Sequence, residues 1–350
     1  MTHPDPPTRP GSPREYSRLD EESLRRQVLS EERPAVMRGL VDEWAAVREA
    51  RVSPDALIRY FQQFDIGRPV DALLMRPEIE GQLSYNDAMT GFNFVRNRLP
   101  LSDIAEQLLR YAKFSNPPSL AVQSALIRDC LPGFEEHNRL GALPPGVQPR
   151  MWLGNRISTP THVDEWSNIG CVVAGRRRFT LFPPDQISNL YIGPLDFAPT
   201  GAAMSLVSLR SPDFEKFPRF REALGAAQVA DLGPGDAIYI PPLWWHHVES
   251  LDSFNVLVNY WWREGTGPED SQDSGFDALL HGIMSIRNLP PASRRAWAAF
   301  FEHYVFAARE EAVQHIPPAR HGILGFLTMD QSAALREHLL QRLNERPRRR

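Results

Sequence analysis

The chain is expected to fold as a mainly β domain, a sandwich or a barrel, with α/β elements before it and a helical segment after it. Three observations lead there. Between residues 151 and 262 the apolar residues come in short runs of strand length, broken by Gly, Pro and Asp. Apolar residues at helical spacing are confined to the two flanks. Strands at these intervals favour a sandwich or barrel over alternating βαβ units. With 350 residues and 42% hydrophobic content, the chain can bury one large core, or a main domain with appendages.

Residues 1–15 are Pro-rich and polar, and read as a disordered end rather than a signal peptide. The main domain, 16–262, opens with Leu24, Val28 and Leu29 at helical spacing, followed by an extended segment at 34–37. Ser53 is an N-cap ahead of Ala56, Leu57, Tyr60 and Phe61. Ser102 starts a second helix carrying Ile104, Leu108 and Tyr111, and the surroundings of 69–75 and Tyr85 read as strands. Strands follow at 151–153, 161–164, 168–173, 177–182, 237–240, 246–250 and 255–261. The turn Gly233-Pro234-Gly235-Asp236 feeds the strand at 237–240. Residues 191–228 break the pattern and read as an insertion that shapes access to a barrel mouth.

After Trp262 the chain becomes helical, over 263–345. Phe276, Leu279, Leu280, Ile283 and Met284 form one apolar stripe, Trp297, Phe300, Phe301 and Tyr304 a second, and Leu335, Leu339, Leu340 and Leu343 a third. Such stripes either pack on their own barrel or pair with a second copy, and the second is the expectation here. The basic tail, 346–350, reads as a solvated end.

The chemistry is concentrated in Thr159-Pro160-Thr161-His162-Val163-Asp164 and, far downstream, Trp244-Trp245-His246-His247-Val248. In a strand, side chains two apart share a face, so His162 and Asp164 can reach one ion while Val163 points away. With a distant histidine they make the two-histidine, one-carboxylate set that suits non-haem Fe(II) and leaves positions open. The same period selects the third ligand. Trp244, His246 and Val248 share one face, and Trp245, His247 and Glu249 the other; the face without the glutamate suits a barrel interior, so His246 is the candidate.

Arg177 stands out in the same way. Arg177, Phe179 and Leu181 share a face, whereas Arg176, Arg178 and Thr180 share the opposite one. An arginine on an apolar inward face must meet an anion, because an unpaired buried guanidinium is very costly. A structural carboxylate is one candidate, and the carboxylate of a bound acid is the other.

The run from Trp152 to Trp262 resembles the catalytic core of the JmjC-type oxygenases of the cupin superfamily. Within them it is most similar to the branch of the asparaginyl hydroxylase that acts on hypoxia-inducible factor. The stretches that carry this are Thr159-Pro-Thr-His-Val-Asp-Glu165, Leu181-Phe-Pro-Pro-Asp-Gln186, Phe217-Pro-Arg-Phe220, Leu232-Gly-Pro-Gly-Asp236, Tyr239-Ile-Pro241 and Trp244-Trp-His-His-Val-Glu-Ser250. Phe92-Asn93-Phe94 and residues 34–44 extend it towards the N-terminus. The resemblance implies a double-stranded β-helix, or jelly-roll, core that uses Fe(II), 2-oxoglutarate and O2. It implies His162, Asp164 and His246 as the iron ligands, Thr159 as a hydroxyl donor to 2-oxoglutarate, and Arg177 in place of a lysine that pairs with its distal carboxylate. Asn168 and Asn259 match amides that line the pocket. Ala121 stands where the asparaginyl hydroxylase has a tyrosine contacting 2-oxoglutarate. Either Thr159 and Arg177 suffice, or another residue such as Tyr85 compensates.

The resemblance further implies hydroxylation of a C–H bond, on a protein or peptide side chain, and a homodimer formed through the C-terminal helices. Oxidative demethylation of lysine or arginine, a small-molecule hydroxylase and a non-catalytic cupin that binds a ligand or partner are the alternatives. The intact His162, Asp164, His246 and Arg177 set disfavours the last. A net charge of −4 gives no reason to expect nucleic acid or an anionic membrane as partner, and no apolar run is long enough to span a bilayer. Cys130 and Cys171 form no disulfide framework and read as buried fillers, which suits a reducing cytoplasm.

Overall fold

The structure, a computed structural model, describes residues 10–199, 201–263 and 274–345. The chain divides into two units, Met1–Arg263 and Glu264–Arg350. In the first, the strands are β1 (Arg14–Ser17), β2 (Ala35–Arg38), β3 (Val70–Met75), β4 (Val95–Leu99), β5 (Ser119–Leu126) and β6 (Pro149–Gly154). Then come β7 (Ser158–Val163), β8 (Ser167–Ala174), β9 (Arg177–Phe182), β10 (Gln228–Leu232), β11 (Ala237–Ile240), β12 (Trp245–Ser250) and β13 (Asn255–Trp262). They form a nine-stranded sheet in the order β1-β2-β11-β8-β13-β6-β5-β3-β4 and a four-stranded sheet in the order β10-β9-β12-β7. From β7 onward the chain passes repeatedly between the two sheets. This is the jelly-roll core with helical flanks that the sequence suggests.

Alternation along the strands separates two apolar layers. On β13, Leu257 faces inward with Val36, Val172, Ile238 and Ile240 of the large sheet, against Phe179, Leu181, Leu232 and Val248 of the small one. Val256, Val258, Tyr260 and Trp262 face outward, onto Leu57, Phe61, Leu101, Ile104 and Leu108 of the flanking helices Pro54–Gln62 and Leu101–Tyr111. Cys130 and Cys171 are buried in this outer layer, and burial pushes both thiols up, Cys130 to about 11. The β8–β9 turn depends on Gly175, at φ +70°, where a Cβ would collide with Asn255 and the Phe254 carbonyl.

The helix starts follow from side-chain chemistry. Ser53 accepts from the Ala56 amide, as its position predicts. The helix Ala45–Val52 has no such cap of its own. Instead, fully buried Asn138 accepts from the Ala46 amide (2.8 Å) and donates to the Tyr60 hydroxyl (2.8 Å) and the Phe134 carbonyl (2.7 Å). Asn138→Ala should therefore destabilise this unit by roughly 3 kcal/mol, since each buried group left unpaired costs on the order of 1–3 kcal/mol. Urea unfolding checks this; the exposed cap variant Asp20→Ala should lose much less.

Four expectations need correction. The first fifteen residues are not uniformly disordered. Residues 1–9 lie outside the described ones, but Gly11 bridges Gln228 of β10, and β1 pairs with β2 from Arg14. The Tyr85 region is no strand; it holds isolated bridges, Gln82 to Ser158 and Tyr85 to Phe92. The second helix starts at Leu101, one residue before Ser102. The insertion ends before Gln228, where β10 begins. Its residues Val207, Phe220 and Ala223, with Leu190 just before it, pack on Phe182 and Trp245, on the outer face of the small sheet.

The second unit carries the helices Gly275–Ser285, Pro291–Phe301 and Met329–Asn344. A Thr328–Gln331 capping box opens the last of these. None of the three contains a buried residue. Leu279, Met284, Trp297, Phe300, Leu339 and Leu340 are all exposed. The basic tail at 346–350 lies outside the described residues. Among the described residues no helix is long and apolar enough to cross a membrane.

Candidate metal centre

His162 and His246 are register partners on β7 and β12, so their side chains leave the small sheet on the same face. Their ring centroids are 4.2 Å apart. Asp164 follows β7 directly, and its Oδ2 lies 3.6 Å from His246 Nε2. One ligand atom from each of the three falls within 4.8 Å of the others, a spacing that can hold a metal ion. The tautomers suit that role. Nδ1 of His162 lies 2.8 Å from the Pro160 carbonyl, and Nδ1 of His246 lies 3.0 Å from the Trp244 carbonyl. A carbonyl only accepts, so each Nδ1 donates and each Nε2 keeps its lone pair. Burial, reinforced by the neighbouring His162, lowers the pKa of His246 to about 4, which keeps it neutral at physiological pH.

His247 points to the other face. It is buried and makes a 3.0 Å hydrogen-bond contact between its Nε2 and Ser158 Oγ. It is not part of the ligand group.

Thr159 raises a question of parity. It stands three positions before His162, which in a regular strand puts the two on opposite faces. The β7–β12 register shifts between the two pairs: His162 opposes His246, and Thr159 opposes Val248. Three steps on β7 thus match two on β12, a bulge that restores Thr159 to the inward face.

Arg177 lies on β9, opposite Ser250 of β12, whereas Phe179 opposes Val248 and Leu181 opposes His246. Arg177 thus shares the inward face with His246, about 13 Å along the strand from the Leu181 pair at roughly 3.3 Å per residue. The Thr159–Val248–Phe179 row lies between. Only 8% of Arg177 is exposed, and its Nε has no hydrogen-bond partner among the described residues. No carboxylate pairs with it there. Burial alone lowers its pKa to about 10, so it stays charged. Its neighbours differ: Arg176 pairs with Asp252 and Arg178 with Asp231, both in solvent.

On the large sheet, Asn259 donates to Asn168 Oδ1 (3.3 Å) and accepts from the Trp152 indole (2.8 Å). Both asparagines are buried inward. Ala121 sits in a small apolar cluster with Leu73, Met75, Leu83 and Ile157. The Tyr85 hydroxyl donates to the Phe197 carbonyl at 2.5 Å, and its ring packs on Phe92 and Phe197. The insertion covers the free edge of β7, with Met204 bridging His162 and the Ser205 amide donating to the Thr161 carbonyl.

Two contributors have no signature in the motifs. The Trp261 indole donates to Asp164 Oδ2 at 3.0 Å, and the Leu243 amide donates to the Asp164 carbonyl at 2.9 Å. Period two counted from Asn259 would have placed Trp261 on the inward face. Nothing local signals Leu243, which is left-handed at φ +62°.

The arrangement agrees with what the chain is similar to. Over 156 residues it is 34% identical to the bovine (Bos taurus) HSPB1-associated protein 1, covering 43% of this chain and 31% of that protein. It is 38% identical over 113 residues to lysine-specific demethylase JMJ31 of Arabidopsis thaliana, covering 32% and 20%. It is 26% identical over 262 residues to the human (Homo sapiens) bifunctional peptidase and (3S)-lysyl hydroxylase JMJD7, covering 66% and 77%. The match thus spans less than a third of the first two relatives. These matches do not single out the asparaginyl-hydroxylase branch. The model of the cupin-like domain matches residues 21–267, most of the chain and all of the jelly roll, and the chain belongs to that family.

Proposed function

We propose that this chain is an Fe(II)- and 2-oxoglutarate-dependent oxygenase that hydroxylates a C–H bond of a protein side chain. The observation that carries the reading is Arg177, a buried cation with no carboxylate partner among the described residues, on the same inward face as His162 and His246. Such a charge calls for an anion from solution. The gap from Arg177 to the histidines is one that an arginine side chain and a five-carbon diacid together bridge.

His162 and His246 would hold the ion through Nε2 and Asp164 through a carboxylate oxygen. Arg177 would take the distal carboxylate of 2-oxoglutarate, the Thr159 hydroxyl would donate to the same acid, and Asn168 and Asn259 would line the pocket. Bound there, the ion and co-substrate would supply O2 activation and oxidation of an unactivated C–H bond, chemistry that no side chain provides. The protein holds the lone pairs of both histidines outward from their carbonyl anchors and keeps the acid's charge neutralised away from water.

The relatives' names concern lysine side chains and a protein partner, which supports a protein or peptide substrate. They also favour a second reading, oxidative demethylation of a methylated lysine, by the same residues. Incubation with Fe(II), 2-oxoglutarate and a protein extract decides between them. Succinate formation with a gain of one oxygen on a peptide supports hydroxylation, and loss of a methyl group supports demethylation. Neither change, with no succinate, would sink the proposal. A reducing cytoplasm suits the two free, buried thiols.

The proposal extends to assembly: a homodimer through the helices after residue 271. Their exposed Trp297, Phe300, Leu339 and Leu340 make more apolar surface than soluble monomers usually tolerate, and two-fold pairing is the commonest way to cover such a face. Light scattering at micromolar concentration should give twice the monomer mass, and Leu339→Arg should give monomer with iron binding intact. A monomeric wild type would remove this part of the proposal.

A further inference from the structure

We infer that Trp261 is a positioning residue for the metal, acting through the Asp164 carboxylate; this rests on the metal reading of the proposed function. The geometry is specific to one oxygen. Asp164 Oδ2 accepts the Trp261 indole N–H at 3.0 Å, and the same oxygen lies 3.6 Å from His246 Nε2. An ionised carboxylate oxygen offers two lone pairs in the carboxylate plane. With one lone pair taken by the indole, the other is left for an ion shared with the two histidines. The indole would thereby fix how the Asp164 carboxylate presents that oxygen to an ion held with the two histidines.

The indole is itself held in place. Trp261 is the register partner of Asn168 on β8, and its ring meets the Trp152 ring edge-on, with centroids 6.2 Å apart at 74°. Trp152 gives its own N–H to Asn259 and none to Asp164. Asp164 is tied at its backbone too, where its carbonyl accepts from Leu243. The ligand carboxylate, coming from the end of a small-sheet strand, therefore takes its orientation from an indole on the large sheet. Partners of metal ligands commonly account for 10–100-fold in metal affinity.

The paired indoles supply the control. Trp261→Phe keeps an aromatic ring but removes the five-membered half of the indole with its N–H, and Trp152→Phe makes the same cut one ring away, so the pair separates the lost donor from the lost volume. Titration of the metal-free protein with Co(II) should show roughly 10–100-fold weaker binding in Trp261→Phe than in wild type. Its visible absorption band should also change, reporting a displaced carboxylate ligand. Trp152→Phe, which leaves the Trp261–Asp164 hydrogen bond in place, should lose far less affinity and keep the wild-type band. In metal-free protein with 15N-labelled indoles, the Trp261 N–H should exchange slowly, and Asp164→Ala should abolish that protection. Equal Co(II) affinity and spectra in Trp261→Phe and wild type would overturn the inference, as would equal losses in the two tryptophan variants, which would mean packing alone. If wild type itself binds no Co(II) while the N–H remains protected, the metal reading fails and this inference with it, whereas the hydrogen bond stands.

Discussion

His162→Ala, Asp164→Ala and His246→Ala are each expected to abolish stoichiometric Fe(II) binding and turnover, whereas His247→Ala keeps the metal. Each of the first three removes one of only three protein donors, and no other His, Cys, Asp or Glu joins the group among the described residues. His247 is the demanding control, because it is adjacent in sequence and equally buried. Its Nε2 faces Ser158 rather than the ion, and burial lowers its pKa to about 3, so its loss is a loss of packing. His247→Ala should cost stability without costing iron. Metal analysis of the purified, folded variants is the measurement. Full iron in His246→Ala together with loss in His247→Ala would reverse the ligand choice.

That choice was legible because it needs only period two, and β12 is regular enough against β9 for the period to hold. Thr159 marks the limit of the same reasoning. Its face is set by a bulge, and a bulge is a property of two strands in register, not of either alone. The Trp261–Asp164 bond is further removed, since it joins ends of strands from different sheets. The missing partner of Arg177 is legible in part: the sequence puts the guanidinium inward, but a structural carboxylate stays possible until the surroundings are known.

The fold divides along similar lines. Strands β9 and β11 begin and end as expected, because Gly175 and the Gly233–Asp236 turn mark their starts and the runs between are apolar. Strand β4 was missed. Its Val95, Arg96, Asn97 and Arg98 are all exposed at the sheet edge, so no alternation records a buried face. Strand β10 follows an alanine-rich helix end, and its alternation of Ala230 and Leu232 with Val229 and Asp231 is too short to stand out. Gly11 and β1 are ordered by pairing with β10 and β2, a long-range cause that composition does not carry.

Arg177→Ala should weaken 2-oxoglutarate binding by at least about tenfold, and far more than Arg176→Ala or Arg178→Ala. A hydrogen bond to a charged group contributes roughly 1.5–3 kcal/mol, and 1.4 kcal/mol is a factor of ten. The flanking arginines already hold Asp252 and Asp231 in solvent, where such pairs contribute about 0–1 kcal/mol and reach nothing inside. A second measurement separates ligand binding from structure. In the ligand-free protein Arg177 is a buried charge without a carboxylate among the described residues, and an apolar side chain of similar length removes that cost. Arg177→Met should therefore unfold at a higher temperature than ligand-free wild type, yet gain little stability when 2-oxoglutarate and Mn(II) are added. Wild type should gain the increment that mass action gives a bound ligand. Anaerobic calorimetry supplies the affinities and thermal unfolding the stabilities. Equal affinity in all three alanine variants would mean that another cation holds the acid. A large loss of stability in ligand-free Arg177→Met would mean that the guanidinium has a structural partner after all.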